Sequence, residues 1–108
     1  MNSVILTGRV VKDAEMHTTE TGKKFCVVSF AIREDRKPET VETTFVDLLL
    51  WEKRAEALAK YLTKGKFILV TGRLSIRKTK TDDKTYVNPA VIVDELEFLE
   101  KKDKTIDF

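Results

Sequence analysis

Apolar and polar residues alternate along five stretches of the chain, which is the pattern of β-strands that bury one face. The first stretch places Val4, Leu6 and Val10 on one face, with Gly8 in phase with them. The strands predicted in this way are Val4–Val11, Phe25–Arg33, Thr44–Trp51, Phe67–Leu74 and Tyr86–Leu99. Because Pro89 cannot donate a hydrogen bond to a neighbouring strand, we expect an interruption in the last of them.

The period changes once, between the third and fourth predicted strands. In Glu52–Thr63 the apolar residues recur at helical spacing, which predicts an amphipathic helix of about three turns. Lys64-Gly65-Lys66 follows and supplies a glycine and two cations suited to the carboxyl end of a helix. The remaining connections are polar: Lys12–Lys24, Glu34–Thr43 with its Pro38, and residues 75–84, which we expect to form an extended hairpin turning near Asp82-Asp83.

The order of the elements is three strands, one helix and two strands. This is the arrangement of an OB-fold, an all-β five-stranded Greek-key barrel with one helix between strands 3 and 4. We assign residues 1–100 to this domain and residues 101–108 to a short polar tail. Strands 1 and 4 are neighbours in such a barrel, and both carry Thr-Gly-Arg, at residues 7–9 and 71–73. We expect both glycines to face inward and permit sharp bends, and Arg9 and Arg73 to lie next to each other on the outer wall.

The composition is that of an ordinary globular domain: 108 residues, of which 42% are hydrophobic and 35% charged. The net charge of +2 is small, so attraction for a polyanion has to come from local clusters of Lys and Arg. The single cysteine, Cys26, excludes an intramolecular disulfide and fits a reducing compartment. The opening MNSVILTG lacks the pattern of a secretion signal, so we predict a cytoplasmic, nucleoid-associated protein.

The chain has few residues that could support catalysis. Its one histidine, His17, falls in a predicted loop, and no second Cys or His exists to complete a zinc site or a nucleophile pair. No glycine-rich phosphate loop follows a strand, and Asp82-Asp83 is better explained as a turn than as a metal site. We therefore predict a protein that is not an enzyme and that has no metal or cofactor.

Binding of a single nucleic-acid strand needs exposed aromatic rings on which bases can stack. Phe45 and Trp51 are six residues apart and so share one strand face, opposite to the apolar residues at 46, 48 and 50. Tyr86, at the start of the last strand, is the third candidate. Core packing or a subunit interface is the alternative for these rings, and Trp51 could equally pack on the following helix. The other aromatic residues that we assign to the core or an interface are Phe25, Phe30, Phe67 and Phe98.

Cations that could contact the phosphates occur at strand ends, in loops and in the predicted hairpin. A solubilising surface is an equally good explanation of the charge taken alone. The candidate phosphate contacts are Arg9, Lys12, Arg33, Arg36, Arg73, Arg77, Lys78 and Lys80.

Several segments resemble bacterial single-stranded DNA-binding proteins, and the resemblance runs from Met1 to about Leu99. The segments are MNSVILTGRVVKDAEM, FCVVSFAIRED, ETTFVDLLLWEKRAEALAKYLTKGKFILVTGRL and VIVDELEFL, of which the third is the most specific. The resemblance implies an OB-fold whose subunits assemble, usually as a homotetramer, although a dimer stays possible. It also implies binding of single-stranded DNA without sequence preference during replication, recombination and repair.

The resemblance also bears on individual residues. Phe45 and Trp51 fall where the family places stacking aromatics, and Arg77, Lys78 and Lys80 fall in its basic hairpin. Two further tryptophans of well-studied members are replaced, by Arg36 and Thr79. Since stacking is worth about 1–3 kcal/mol per base, we expect binding to depend more on phosphates and therefore strongly on salt.

The end of the chain also departs from the family pattern. A long flexible linker and an acidic tip are usual, whereas this chain ends in EKKDKTIDF, so recruitment of replication or repair proteins through its Ile-Asp-Phe is only weakly supported. The shortness of the chain and its few aromatics also suit primosomal replication protein B, a relative that binds DNA as a dimer. An OB-fold module that binds another protein is a further alternative, and a nucleic-acid enzyme is disfavoured.

Overall fold

The computed structural model describes residues 1–37 and 40–99, without the side chains of residues 34–37, 40, 41 and 79. It contains six strands, a short α-helix and a 3₁₀ turn. The strands are β1 Val4–Val10, β2 Glu15–Thr18, β3 Lys24–Lys37, β4 Thr40–Trp51, β5 Phe67–Lys80 and β6 Thr85–Phe98. The helix α1 is Glu52–Leu58, and the 3₁₀ turn that follows it is Ala59–Tyr61.

The strands form one sheet that closes on itself. Its order is β1-β5-β6-β4-β3-β2, and β1 also pairs with β3 through Arg9 opposite Ala31 and Val10 opposite Phe30. All described neighbours are antiparallel except β4 and β6, which are parallel. The long strands therefore enclose a five-stranded barrel with one helix between the third and fourth of them, which confirms the predicted OB-fold.

The extra strand, β2, lies inside the segment 12–24 that was predicted to be a polar loop. All four of its residues are exposed, so the sequence carries no alternation that could have predicted it. It forms because β3 is longer than β1 can cover: one edge of β3 pairs with β1 near Phe30 and with β2 from Lys24 to Val27. Backbone hydrogen bonds, rather than a buried face, hold β2 in place.

Two other predicted boundaries differ from the structure, and one predicted element is confirmed. The connection 34–43 is largely strand, since β3 runs to Lys37 and β4 starts at Thr40. The α-helix stops at Leu58 instead of Thr63, although Leu62 beyond the 3₁₀ turn is fully buried. The expected hairpin 75–84 is confirmed, because β5 and β6 pair out to Lys80 opposite Thr85.

The expected interruption at Pro89 is wrong. Pro89 lies within β6, opposite Ile76 of β5, and the pairing continues on both sides of it. The ladder between β6 and β4 begins only at Ala90, so β6 has one strand partner at Pro89 within the part of the chain that the structure describes. A proline is tolerated at such an edge, where one side of the strand needs no hydrogen bond.

The core fills the barrel with the inward residues of every long strand. Phe30 is the largest of the fully buried side chains, as predicted, and Phe98 packs partly buried against the same cluster. Ala55 of α1 and Leu62 cover the barrel from the helix side with no exposed area. The other core side chains are Val10, Cys26, Val28, Leu48, Leu50, Ile68, Val70, Val91 and Val93.

Gly8 and Gly72 stand where the barrel wall bends, as predicted. Both are buried. A Cβ on Gly8 would collide with the carbonyl oxygen of Ala31 and the ring of Phe30, at the point where β1 turns from β5 towards β3. A Cβ on Gly72 would collide with the carbonyl oxygen of Ile92, at the register shift between β5 and β6. Glycine is therefore required by the close approach of two backbones.

Candidate nucleic-acid interface

The outer face of β4 carries the two aromatic residues that the sequence placed there. Phe45 is 66% exposed and Trp51 is half-buried, while Leu48 and Leu50 between them are fully buried on the opposite face. The two rings are six positions apart on an extended strand that rises about 3.3 Å per residue, which separates them by about 20 Å. Each ring is therefore placed to contact a different part of a bound strand of nucleic acid.

Arg9 and Arg73 do not lie next to each other, so that part of the prediction is wrong. The antiparallel pairing sets Arg9 opposite Phe67 and Val4 opposite Gly72, which puts the two arginines at opposite ends of the β1–β5 pair. At about 3.3 Å per residue they are about 20 Å apart along that pair. The prediction failed because an antiparallel register cannot be read from two matching tripeptides.

The two arginines instead flank β4 from its two sides. One row of paired residues runs from Arg9 through Ala31 to Phe45, across β1, β3 and β4. A second row runs from Arg73 through Ile92 to Leu49, across β5, β6 and β4. Since neighbouring strands are about 4.8 Å apart, each arginine starts about 10 Å from β4. Both are exposed, as predicted.

Arg9 is held in a fixed orientation. Its Nη1 donates a hydrogen bond of 3.0 Å to the carbonyl oxygen of Gly65, and its guanidinium carbon lies 4.9 Å from the centre of the Phe67 ring. Phe67 is 37% exposed and lies outside the core of this chain, so of its two predicted places, core or interface, only the interface stays a prediction. These two residues line a groove of about 430 Å³ together with Arg33 and Thr43. The groove continues the outer face from Phe45 towards β1.

The β5–β6 hairpin carries further cations beside β4. Arg77 lies opposite Asn88, and both residues line a groove of about 400 Å³ whose other wall includes Asp47 and Leu49 of β4. Lys78 also borders this groove. Lys80 lies opposite Thr85 next to the turn, away from β4. The structure thus brings two of the three predicted hairpin cations to the aromatic strand.

Three more predicted residues have different surroundings. Tyr86 is 50% exposed and lies on the hairpin opposite Thr79, apart from Phe45 and Trp51. Lys12 forms an ion pair of 3.5 Å with Glu15 and also lines a depression next to Phe45. The side chain of Arg36 lies outside the described residues.

An acidic residue, Asp47, lies in the middle of this surface. It sits on β4 between Phe45 and Leu49, opposite Ser29 of β3 and Ala90 of β6, and it is exposed. A carboxylate at this place repels phosphates. The arrangement therefore suits a single strand of nucleic acid whose phosphates lie near the arginines on the two sides of β4 and whose bases face β4 itself.

Trp51 is part of a row of rings that the sequence did not reveal. Its ring centre lies 4.9 Å from that of Phe25, with the planes at 32°, and Phe25 stacks on His17 at 5.3 Å and 24°. Phe25 is half-buried on the outer face, so of its two predicted places, core or interface, only the interface stays a prediction. His17 lies on β2 instead of in a loop. The row depends on the pairing of β2 with β3, which sets His17 opposite Phe25 and which no pattern in the sequence predicts.

The described residues hold little that could support a reaction. No cluster of three or more His, Cys, Asp or Glu residues suited to a metal ion occurs among residues 1–37 and 40–99. Cys26 is fully buried, and its burial raises the pKa of its thiol to about 11, which keeps it protonated and unreactive at neutral pH. In the same part of the chain, no helix has the length and apolar character needed to cross a membrane.

Comparisons with known proteins agree on one group. The sequence model of the single-strand binding protein family matches residues 1–99. The single-stranded DNA-binding protein of Clostridium tetani is 39% identical over 105 residues, which are 93% of this chain and 71% of that protein. Single-stranded DNA-binding protein 1 of Staphylococcus aureus is 36% identical over 108 residues, covering 94% of this chain and 67% of that protein.

A solved structure gives the same answer at the level of the fold. It is described as Plasmodium falciparum SSB in complex with ssDNA, and it superposes with a TM-score of 0.81 at 27% sequence identity. The match covers 93% of this chain and 96% of that one.

Proposed function

This chain belongs to the single-strand binding protein family, and from that premise we propose that it binds single-stranded DNA without sequence preference. Members of the family are DNA-binding proteins without enzymatic activity, and this chain is likewise not an enzyme. Its role is to coat and protect single strands during replication, recombination and repair.

The observation that carries the proposal is the exposed aromatic strand with cations on both sides. Phe45 presents its ring to solvent at 66% exposure, and the rows that end at Arg9 and Arg73 approach β4 from opposite directions. Every base has a π-face, so stacking on such a ring does not depend on sequence. Phosphates bound by the flanking arginines add affinity that is equally independent of sequence.

The contacts to the DNA divide between stacking and phosphate binding. The stacking residues are Trp51, Phe45 and Tyr86, and the phosphate contacts are Arg9, Lys12, Arg33, Arg36, Arg73, Arg77, Lys78 and Lys80. With more cations than rings in this set, we expect affinity to fall steeply as salt rises, because each phosphate bound releases counterions.

We also propose that the protein forms a homo-oligomer, with a tetramer favoured over a dimer. The residues Val4–Thr7 of β1 pair only with β5 among the described residues, which leaves their other edge without a strand. Ile5 in this segment is 68% exposed. An open edge with an exposed apolar side chain is suited to pairing with a second copy of the chain. Light scattering would give the mass of the assembly directly.

Two further parts of the prediction remain proposals. A cytoplasmic, nucleoid-associated location follows from the proposed DNA binding. Recruitment of replication or repair proteins concerns Ile106, Asp107 and Phe108, which lie outside the described residues, as does the tail 101–108 as a whole.

A fluorescence titration tests DNA binding. Trp51 is the only tryptophan, so its emission reports on the outer face of β4. Addition of oligo-dT at low salt should quench this emission, and added salt should restore it. If labelled oligo-dT does not bind at low salt by fluorescence anisotropy, the proposal is wrong and a module that binds another protein becomes the better explanation. Binding without quenching would keep the function and remove Trp51 from the site.

A further inference from the structure

Three aromatic rings stack in series across β2, β3 and β4. His17 lies opposite Phe25, and Phe25 lies opposite Trp51, so the three residues form one cross-strand row. The ring centres are 5.3 Å and 4.9 Å apart, with angles of 24° and 32° between the planes. Both separations are those of interacting aromatic rings, stacked for His17 and Phe25 and tilted for Phe25 and Trp51. Phe25 has a ring on each side, so the free faces of the row belong to His17 and Trp51.

Both ends of the row are accessible. The side chain of His17 is 46% exposed, and within the described residues no strand pairs with β2 on the side away from β3. At the other end, Trp51 borders an open groove whose wall on α1 includes Lys53 and Arg54. A ring could therefore be added to the row at either end without moving a strand.

We propose that this row of His17, Phe25 and Trp51 is a single stacking platform that takes one base at each end, which makes β2 part of the DNA interface. The inference rests on the proposed binding of single-stranded DNA. His17 is the stacking residue at the β2 end, Trp51 is the stacking residue at the α1 end, and Phe25 holds the two in line.

The charges around the row fit this role. Lys53 lies beside the Trp51 end, where it can contact the phosphate of the base stacked there. Glu52 and Arg54 line the same groove, and Arg54 donates a hydrogen bond of 3.5 Å to the carbonyl oxygen of Val93. Lys24 is one residue from Phe25 and 3.8 Å from Glu56 of α1, close enough to exchange that partner for a phosphate. At the other end, a carboxylate oxygen of Glu15 lies 3.5 Å from Nε2 of His17. Lys12, 3.5 Å from the same carboxylate, offsets its negative charge.

The row is also formed before DNA arrives. Each ring is fixed by a cross-strand neighbour, and Phe25 is confined between two rings. Bases that add to a preformed stack lose less binding energy to ordering of the side chains than bases that bind a mobile ring.

A relocated tryptophan tests the inference directly. In the double variant His17→Trp, Trp51→Phe, the only tryptophan reports on the β2 end while the row keeps three rings. We expect oligo-dT to quench its emission at low salt and salt to reverse the effect. The matched control is Met16→Trp, Trp51→Phe, which places the reporter on the same strand in the opposite phase, and there we expect little change. Far-ultraviolet circular dichroism and thermal melting establish that both variants are folded.

Binding of labelled oligo-dT is measured in parallel by fluorescence anisotropy. If the double variant binds DNA while its tryptophan emission stays constant, the platform is wrong and the proposed function stands. If the wild-type chain itself does not bind, the proposed function fails first. The two failures are thereby distinguished.

Affinity provides a second measurement on the otherwise unaltered chain. His17→Ala should weaken binding of oligo-dT by about fivefold or more, because a stacked base is lost. His17→Phe should restore the wild-type affinity, and Met16→Ala should leave it unchanged. Equal affinities for His17→Ala and Met16→Ala would overturn the inference, provided that both proteins melt as the wild type does.

Discussion

The segments Thr7-Gly8-Arg9 and Thr71-Gly72-Arg73 have the same sequence but different surroundings. Their glycines are equivalent: each is buried, and in each a Cβ would collide with the backbone of a neighbouring strand. Their arginines differ, since Arg9 is bonded to the carbonyl oxygen of Gly65 and stacked on Phe67 on the β3 side of β4, whereas Arg73 lies on the β6 side. Closure of the barrel requires a glycine at both positions, whereas the strand register determines which residues each arginine contacts.

The glycines should show the largest effect. We expect Gly8→Ala and Gly72→Ala each to lower the free energy of unfolding by about 3 kcal/mol, because a buried backbone cannot move away from the new methyl group. Urea denaturation measures this. Gly22 is the matched control: it has φ of 92° with nothing near its Cβ position, so Gly22→Ala should cost only about 1–2 kcal/mol for the left-handed backbone. A smaller loss of unfolding free energy in Gly8→Ala or Gly72→Ala than in Gly22→Ala would contradict the requirement for glycine at the bends.

Phe45 should show the next largest effect, and on affinity instead of stability. Phe45→Ala removes a stacking surface and should weaken oligo-dT binding by about 1–3 kcal/mol, as measured by anisotropy titration. Tyr61→Ala is the control, because Tyr61 is a similarly exposed ring, 53% against 66%, in the 3₁₀ turn away from β4. Equal losses for the two variants would remove Phe45 from the site.

A double-mutant cycle then separates the two sides of β4. Arg9 lies in one cross-strand row with Ala31 and Phe45, whereas Arg73 lies in another with Ile92 and Leu49. We expect Phe45→Ala to be coupled to Arg9→Ala and to be additive with Arg73→Ala within about 0.5 kcal/mol. The reverse pattern would mean that the strand of DNA crosses β4 along a different row.

The single arginine variants should differ in stability but agree in salt dependence. Each of Arg9→Ala and Arg73→Ala should reduce the slope of log affinity against log salt by about 1, for one phosphate contact. Only Arg9→Ala should also lower the free energy of unfolding, by about 0.5–1 kcal/mol, since it loses the hydrogen bond to Gly65 and the contact with Phe67. Unchanged salt slopes in both variants would show that these arginines do not contact phosphates.

Asp47 should give the smallest effect. It lies between the two rows, so Asp47→Asn removes repulsion from phosphates and should tighten binding of oligo-dT by about 0.5 kcal/mol at low salt. The effect should disappear as salt rises. Glu97→Gln is the control, because Glu97 lies on β6 opposite Leu69, far along the strand from Ala90. Tighter binding in both variants would reflect net charge alone.

The sequence predicted every element with a buried face. Alternation in the long strands and helical spacing in 52–63 gave the OB-fold, because burial of one face imposes a period that can be read from residue types. The outward positions of Phe45, Arg9 and Arg73 followed from the same alternation. β2 has no buried residue and was missed, and with it the row that joins His17 to Phe25 and Trp51.

What only the tertiary structure decided is which outward residues meet. Alternation assigns a residue to a face but not to a neighbour, since the neighbour depends on the register between strands that are distant in the chain. For this reason Arg9 and Arg73 were expected side by side and lie about 20 Å apart. The sequence by itself determined the barrel, its bends and the face that carries the site; the pairing of the strands determined the site.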